Sequence, residues 1–323
     1  MISSLELARI CGVSQGTVDR AIHHRTGIGE ATRQRILKAA AAHGYSPNPA
    51  AREIMTGKSR MVGALTPVTN SVFFMDLLQC IKESLAPQGL RVLLATVNTP
   101  EEFQEMIGEF AARRMRAAIV VPPEEGMVIS SHVTRDMKVV SLLSPLRGDS
   151  AVCFVAPDEV ATGKKAVQYL ARKGHRRILH LTYWREAMAI RDRARGYEEG
   201  MVELGEAPVI LRDLSRPILA KAIEKYRPTA LFCHNDPLAL NVIRILGELD
   251  LRVPRDVSVM GVDNSPTFRF LYPDLTTMAY PRERIAVQVT AWISGNKKPR
   301  LMEGCRIVEG QTIRKIHSHP IIS

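Results

Sequence analysis

No apolar run in the sequence approaches the roughly 18–20 residues that a membrane span needs. The first residues, Met1-Ile2-Ser3-Ser4-Leu5-Glu6, carry neither a basic stretch nor an apolar one, so no secretory signal is expected and the chain is expected to stay in the cytoplasm. Cysteine is scarce: Cys11, Cys80, Cys153, Cys233 and Cys305 are odd in number, widely spaced and without a C-x-x-C pair. Five reduced thiols fit that pattern better than a disulfide framework or a zinc site. No H-E-x-x-H, G-x-S-x-G or paired-carboxylate pattern appears. The segment Thr162-Gly163-Lys164-Lys165 resembles the end of a P-loop, but Asp158 stands where that loop needs Gly and Lys165 where it needs Ser or Thr. Enzymatic chemistry, a metal and a cofactor are therefore not expected.

What is present is a soluble globular composition, 46% hydrophobic and 24% charged, over 323 residues, a length that suits two domains. The net charge is +11 and unevenly placed. Residues 1–60 hold nine bases against four acids, a net +5 on less than a fifth of the chain. Such density at one end suits contact with phosphates.

The basic end reads as helices only. Ser3-x-x-Glu6 is a capping-box pattern, with Leu5, Ala8 and, less regularly, Leu7 as its apolar stripe. Gly12 stops that helix, Ser14 caps a second over 15–22, and a third runs over 30–43 before Gly44. Two short helices joined by a turn with Gly form a helix-turn-helix.

The run from Leu7 to Arg20 (Leu-Ala-Arg-Ile-Cys-Gly-Val-Ser-Gln-Gly-Thr-Val-Asp-Arg) resembles the helix-turn-helix of the LacI/GalR family of bacterial transcription regulators. Glu30-Ala31-Thr32-Arg33 and Gly44-Tyr45-Ser46-Pro47-Asn48 match the family's next two motifs in register. The resemblance implies that Gln15 and Gly16 sit at the base-reading start of the recognition helix, with Arg20 about a turn later. Gln suits adenine and Arg suits guanine, each through two hydrogen bonds. Ser14 and Thr17 are expected to contact phosphate or cap the helix, and Arg33 and Asn48 to lie at the DNA. Asp19 stands where the family has Ser; pairing with Arg20 or another nearby Arg, or accepting from a cytosine amine, are open to it. Residues 49–60 resemble the family's hinge, a helix too short to hold alone in water. In that family it folds on DNA, and Ile54 occupies the position of the apolar wedge that enters the minor groove.

From Met61 onward short apolar strands alternate with amphipathic helices: strands near 61–65, 91–95, 117–121 and 139–143, then, after a restart near 156, 178–181, 209–211, 230–233 and 257–262. Helices are predicted over 73–88, 100–114, 159–173, 193–204, 217–225 and 237–249. Alternation of this kind implies parallel sheets covered on both faces, here two Rossmann-like lobes. The fold class is thus α/β, with an all-α head and a two-lobed body, which the resemblance implies is like the periplasmic binding proteins. Expected boundaries are 1–48 for the head, 49–60 for the hinge, and 61–323 for the effector and dimerisation body. One lobe takes 61–155 and 281–304, the other 156–280 and 305–323.

The resemblance continues through the body. Asn70 to Phe74, Lys173 to Ile178, Arg191 to Tyr197, His234 to Leu240, Val253 to Asn264 and Leu275 to Arg282 all follow family motifs. It implies that Arg193, Asn235 and Asp263 hold the effector, donors and acceptors that suit vicinal hydroxyls. Phe73, Phe74, Tyr183 or Trp184 are candidates to stack on a sugar ring, and Tyr280 stands where the family often has Gln. For Arg193 and Asp263 an ion pair across the cleft is the alternative. The function implied is a dimeric (or tetrameric) repressor of a double-stranded, palindromic operator, controlled by a small molecule, a sugar or sugar derivative. Two other readings stay open: a regulator whose body senses a partner protein, and a sugar-binding protein without operator preference.

Overall fold

The structure, a computed structural model, describes residues 2–46, 59–67, 72–184, 187–295, 298–300 and 302–316. Pro47, Asn48, residues 49–58 of the hinge with Ile54, and Asn70 and Ser71 lie outside the described residues. The chain divides into two compact units, Met1–Ser59 and Arg60–Ser323.

The first unit has three helices, α1 (Ser4–Cys11), α2 (Gln15–Ile22) and α3 (Glu30–Ala42). The capping box at Ser3 and Glu6 is complete, and Gly12 takes the left-handed conformation, φ 59°, that ends α1. Leu7, Ala8 and Cys11 face a small core with Val18, Ala21, Ile36 and Ala40. Leu5, expected on the apolar stripe, is instead half exposed. In so short a helix the stripe is set by where α2 and α3 can reach it, and they meet the face one residue pair further on.

The second unit opens with strand β1 (Met61–Pro67), helix α4 (Val72–Leu85), β2 (Arg91–Val97), α5 (Pro100–Ala112), β3 (Ala117–Val120), α6 (Ser131–Thr134), β4 (Lys138–Leu142) and β5 (Val152–Val155). These strands form a parallel sheet in the order β2-β1-β3-β4-β5. Then follow α7 (Glu159–Arg172), β6 (Ile178–Leu181), α8 (Met188–Glu203), β7 (Val209–Leu211), α9 (Arg216–Tyr226), β8 (Ala230–Cys233), α10 (Asp236–Glu248) and β9 (Ser258–Met260). Their sheet is also parallel, in the order β7-β6-β8-β9. Strands β3, β6, β8 and β9 are buried along their whole length, as sheets covered on both faces require.

The last elements are α11 (Pro266–Leu271), β10 (Thr277–Ala279), α12 (Arg282–Gly295) and β11 (Arg306–Val308), with β10 and β11 antiparallel. Helix α12 packs against α4, so the chain returns to the first sheet's layer after building the second. Among the described residues no helix is long and apolar enough to cross a membrane.

Candidate functional site

Two sites are separately placed by these elements. In the first unit, the start of α2 is open to solvent: Ser14, Gln15, Gly16 and Arg20 are exposed and Thr17 half-buried. Ser14 Oγ accepts from the Thr17 amide at 3.2 Å and lies 2.9 Å from the Thr17 hydroxyl, so this pair closes the helix end. Gln15 Nε2 donates to Ser4 Oγ at 2.6 Å. That bond fixes the side chain over the end of α1 and leaves its carbonyl oxygen and second amide hydrogen for a base edge. A Cβ on Gly16 would meet only Ser14 Oγ, at 3.9 Å, so the next position offers DNA a bare backbone. Asp19 pairs with Arg25 at 3.0 Å and approaches His23 at 3.4 Å. Of the alternatives open to it, pairing within the head is the one observed, and the partner is Arg25 rather than Arg20.

Arg33 is placed differently from expectation. Its side chain is 13% exposed, and its guanidinium donates to the carbonyls of Arg20 and Arg25 and pairs with Glu30. It ties the end of α2 to α3. Its Nε, Nη1 and Nη2 each donate within the head, because α3 begins close to the end of α2. The exposed bases of the head include Arg9, Arg20, Arg25, Arg35 and Lys38.

In the second unit a cavity of about 530 Å³ lies at the carboxyl ends of the strands of both sheets. Thr66 and Pro67 end β1; Val121, Leu143, Tyr183, His234 and Asp263 each follow a strand, and all line it. This is where parallel sheets present ligand sites. Phe73 and Phe74 form an aromatic wall, together with Phe268 and several prolines. Asn235 caps α10: its Oδ1 accepts from the Leu238 amide at 3.1 Å and from the Tyr183 hydroxyl at 2.9 Å. Its amide nitrogen is left to donate. Asp263 and Asn264 both have positive φ, 119° and 50°, a strained turn that non-glycine residues rarely adopt. The turn places Asp263 in the cavity wall, where among the described residues its carboxyl makes no hydrogen bond. Burial, and then the neighbouring Asp236, push that carboxyl's pKa well up. Asp236 itself rises to about 6, driven by burial against the opposing bond from Thr277.

Arg193, expected at the cleft face, lies behind it. It is 2% exposed and outside the cavity lining. Its Nε and Nη2 both donate to Glu159 Oε2, at 2.9 and 2.8 Å, and Nη1 donates to the carbonyl of His234. Its ionic partner is thus Glu159 rather than Asp263. Burial raises the Glu159 carboxyl, and the guanidinium counters with charge and hydrogen bonds. For Arg193 desolvation is more than offset by Glu159 and Asp263, so it stays charged. Tyr280 is also behind the wall, its ring edge-on to Phe73 at 4.7 Å. Trp184 is 75% exposed and outside the lining, with Arg212 over its ring at 5.8 Å. It follows a strand end, as Tyr183 does, but points out where its neighbour points in.

The cleft therefore brings together Phe73, Phe74, Asn235 and Asp263, with Arg193 and Tyr280 one layer back. Sequence reasoning assigned no role to Glu159 or to His234. It also missed the rim pair Glu125–Arg191, which joins the two lobes by bonds of 3.0 and 3.2 Å. None of these carries a local signal; each matters through a partner distant in sequence.

Comparison with known proteins finds a match in each of the two units. A family model described as bacterial regulatory proteins, lacI family, matches residues 5–48, and one for a periplasmic binding protein-like domain matches residues 167–312. The HTH-type transcriptional repressor PurR of Vibrio vulnificus (strain CMCP6) is 27% identical over 299 residues, covering 88% of this chain and 89% of its own. Among solved structures, the lac repressor dimer bound to operator and the anti-inducer ONPF superposes with a TM-score of 0.79 at 20% identity, covering 97% of this chain and 99% of that one. A transcriptional regulator CelR–cellobiose complex gives 0.66 at 21%, covering 97% and 100%. With a helix-turn-helix head that exposes its second helix and a two-sheet body enclosing a cavity, the chain belongs to the LacI family of DNA-binding transcriptional regulators.

Proposed function

We propose that the protein is a repressor that binds a palindromic operator as a homodimer in the cytoplasm and is controlled by a carbohydrate seated in the cleft. In this reading residues 1–48 read the DNA and 49–60 form the hinge, with Asn48 and Ile54 at the DNA. Residues 61–155 with 281–304, and 156–280 with 305–323, form the two lobes. Gln15 reads a base, Arg20 a base or phosphate, and Ser14, Gly16 and Thr17 set the close approach of α2. Arg33 supports that surface from behind. In the cleft Phe73 and Phe74 take the apolar face of a ring, and Asn235 and Asp263 take its hydroxyls. Arg193 and Tyr280 hold those groups in place, and Trp184 lies near the rim.

The observation that carries the reading is the cavity: about 530 Å³, at the carboxyl ends of two parallel sheets, with aromatics on one wall and an open carboxyl and amide on another. The cellobiose-bound neighbour supports a sugar as the ligand class. For the dimer, Leu93 and Leu94 on the edge strand β2 and Met75 on α4 are large apolar residues left exposed.

Selection of bound DNA fragments, repeated with and without a metabolite panel, tests the whole. A palindromic motif released by a sugar supports it. No enriched motif removes the operator, and a motif indifferent to every metabolite favours a partner protein as the signal. Within the head, Gln15→Ala is expected to relax selection at one operator position at a cost of about 1–3 kcal/mol. Competition binding against operator and random DNA decides it; an equal loss on both means that Gln15 contacts only the backbone.

A further inference from the structure

The charges around the cleft do not balance in the way an anionic ligand needs. Four carboxyls stand at or behind its wall: Asp263 and Glu125 lining the cavity, with Asp236 and Glu159 buried behind. Two guanidinium groups face them. Arg193 is engaged by Glu159 and the His234 carbonyl. Arg282 donates to the carbonyls of Asp263 and Asn264, at 3.0 and 3.1 Å. At the rim, Arg191 is held by both oxygens of Glu125. Among the described residues, no cation on the cavity wall is left uncommitted.

A phosphate or carboxylate entering here would lose its water and find each of these guanidiniums already engaged within the protein. Such a desolvated charge is costly unless paired. An uncharged ligand meets no such barrier. Its hydroxyls can donate to Asp263 and accept from the amide of Asn235, while an apolar face covers Phe73.

Glu159 decides this balance. It sits at the first position of α7, while Arg193 lies on α8. One of its oxygens takes both Arg193 bonds, and the other is buried with the Tyr280 hydroxyl as its neighbour. Without that carboxylate, the Arg193 charge would act on the cleft beside Asp263 and His234.

We propose that Glu159 is the specificity-determining residue of the cleft: by neutralising Arg193 from behind, it restricts the effector to uncharged, hydroxyl-bearing molecules with an apolar face and excludes their phosphorylated and carboxylate forms. This rests on the reading of the cleft as a small-molecule site.

The test is calorimetric titration of the full-length protein with matched probes: D-glucose, glucose 6-phosphate and gluconate; D-ribose and ribose 5-phosphate; cellobiose and cellobionate. In each set that binds, the neutral member is expected to bind at least tenfold more tightly. Glu159→Gln, which keeps the side chain's shape, should narrow that gap at least tenfold. Adding Arg193→Gln to it should restore the gap, which a merely structural role for Glu159 would not do. The wild-type ratio tests the idea even if the variants fold poorly. An anionic member that binds wild type as tightly as its neutral partner overturns the proposal, as does an unchanged gap in folded Glu159→Gln. If no member of any set binds, the small-molecule reading falls and this proposal falls with it.

Discussion

Arg193→Ala is expected to lower the stability of the 60–323 unit by about 3–5 kcal/mol, the usual cost of stripping one partner from a buried ion pair. The sequence alone leads to a different expectation, in which Arg193 faces a wet cleft and its loss changes the empty protein's stability little. The structure removes that premise. Arg193 is 2% exposed, and three of its hydrogen bonds go to Glu159 and His234. Truncation strands the buried Glu159 carboxylate and leaves the His234 carbonyl without its donor. Urea unfolding followed by circular dichroism measures the effect. Replacing the pair together, Glu159→Leu with Arg193→Met, should recover at least half of the loss, because two apolar groups leave no buried charge unpaired. A single mutant within about 1 kcal/mol of wild type, below the range for a broken buried pair, would mean that solvent reaches the site. Effector binding should also fall, at least 100-fold, or about 2.8 kcal/mol. The route is indirect: His234, whose carbonyl Arg193 holds, and Asp263, whose charge it faces, both line the cavity.

Much of the architecture is legible without coordinates because the signals are local. The Ser3 box, the Gly12 stop and the Ser14 cap are contained within a few residues each, and all three appear as expected. The strand-helix alternation shows in short apolar runs, and the parallel order of each sheet follows from it. What escaped reading is short or remote. Val152–Val155 has four residues between polar turns and gains its place only by pairing with β4. Strands β10 and β11 have three residues each and exist through one another. For residues 281–304 the resemblance gives the lobe but no helix; α12 forms there and packs on α4, some 200 residues earlier in the chain. The same division runs through the cleft. Asn235 and Asp263 lie in turns that directly follow strands, so their motifs carry their positions. Glu159 and Arg193 are joined across two helices 34 residues apart, and no spacing rule announces them.

Gly196→Ala should be more damaging than its size suggests, costing about 3 kcal/mol or more, at or beyond the upper end for overpacking a core. Helices α7 and α8 cross on a seam of glycines. A Cβ at Gly196 would lie 1.9 Å from the Val160 carbonyl oxygen, and one at Gly163 would lie 2.2 Å from that of Arg193. At Gly200 the nearest atom is the Val167 Cβ, at 2.9 Å. The first two obstacles are backbone, which cannot rotate away, so the helices must separate. Separation acts directly on the buried pair, since Gly163 lies one turn after Glu159 and Gly196 one turn after Arg193. The methyl group's gain in helix propensity, up to about 1 kcal/mol, works in the opposite direction and is too small to compensate. Gly108 in α5 provides the control: a Cβ there meets nothing within 4 Å, so Gly108→Ala should stabilise the protein by about 0.4–1 kcal/mol. Urea midpoints of the two variants should therefore move in opposite directions. If Gly196→Ala is as stable as Gly108→Ala, the helices are not held at backbone contact, and the seam does not set the distance between Glu159 and Arg193.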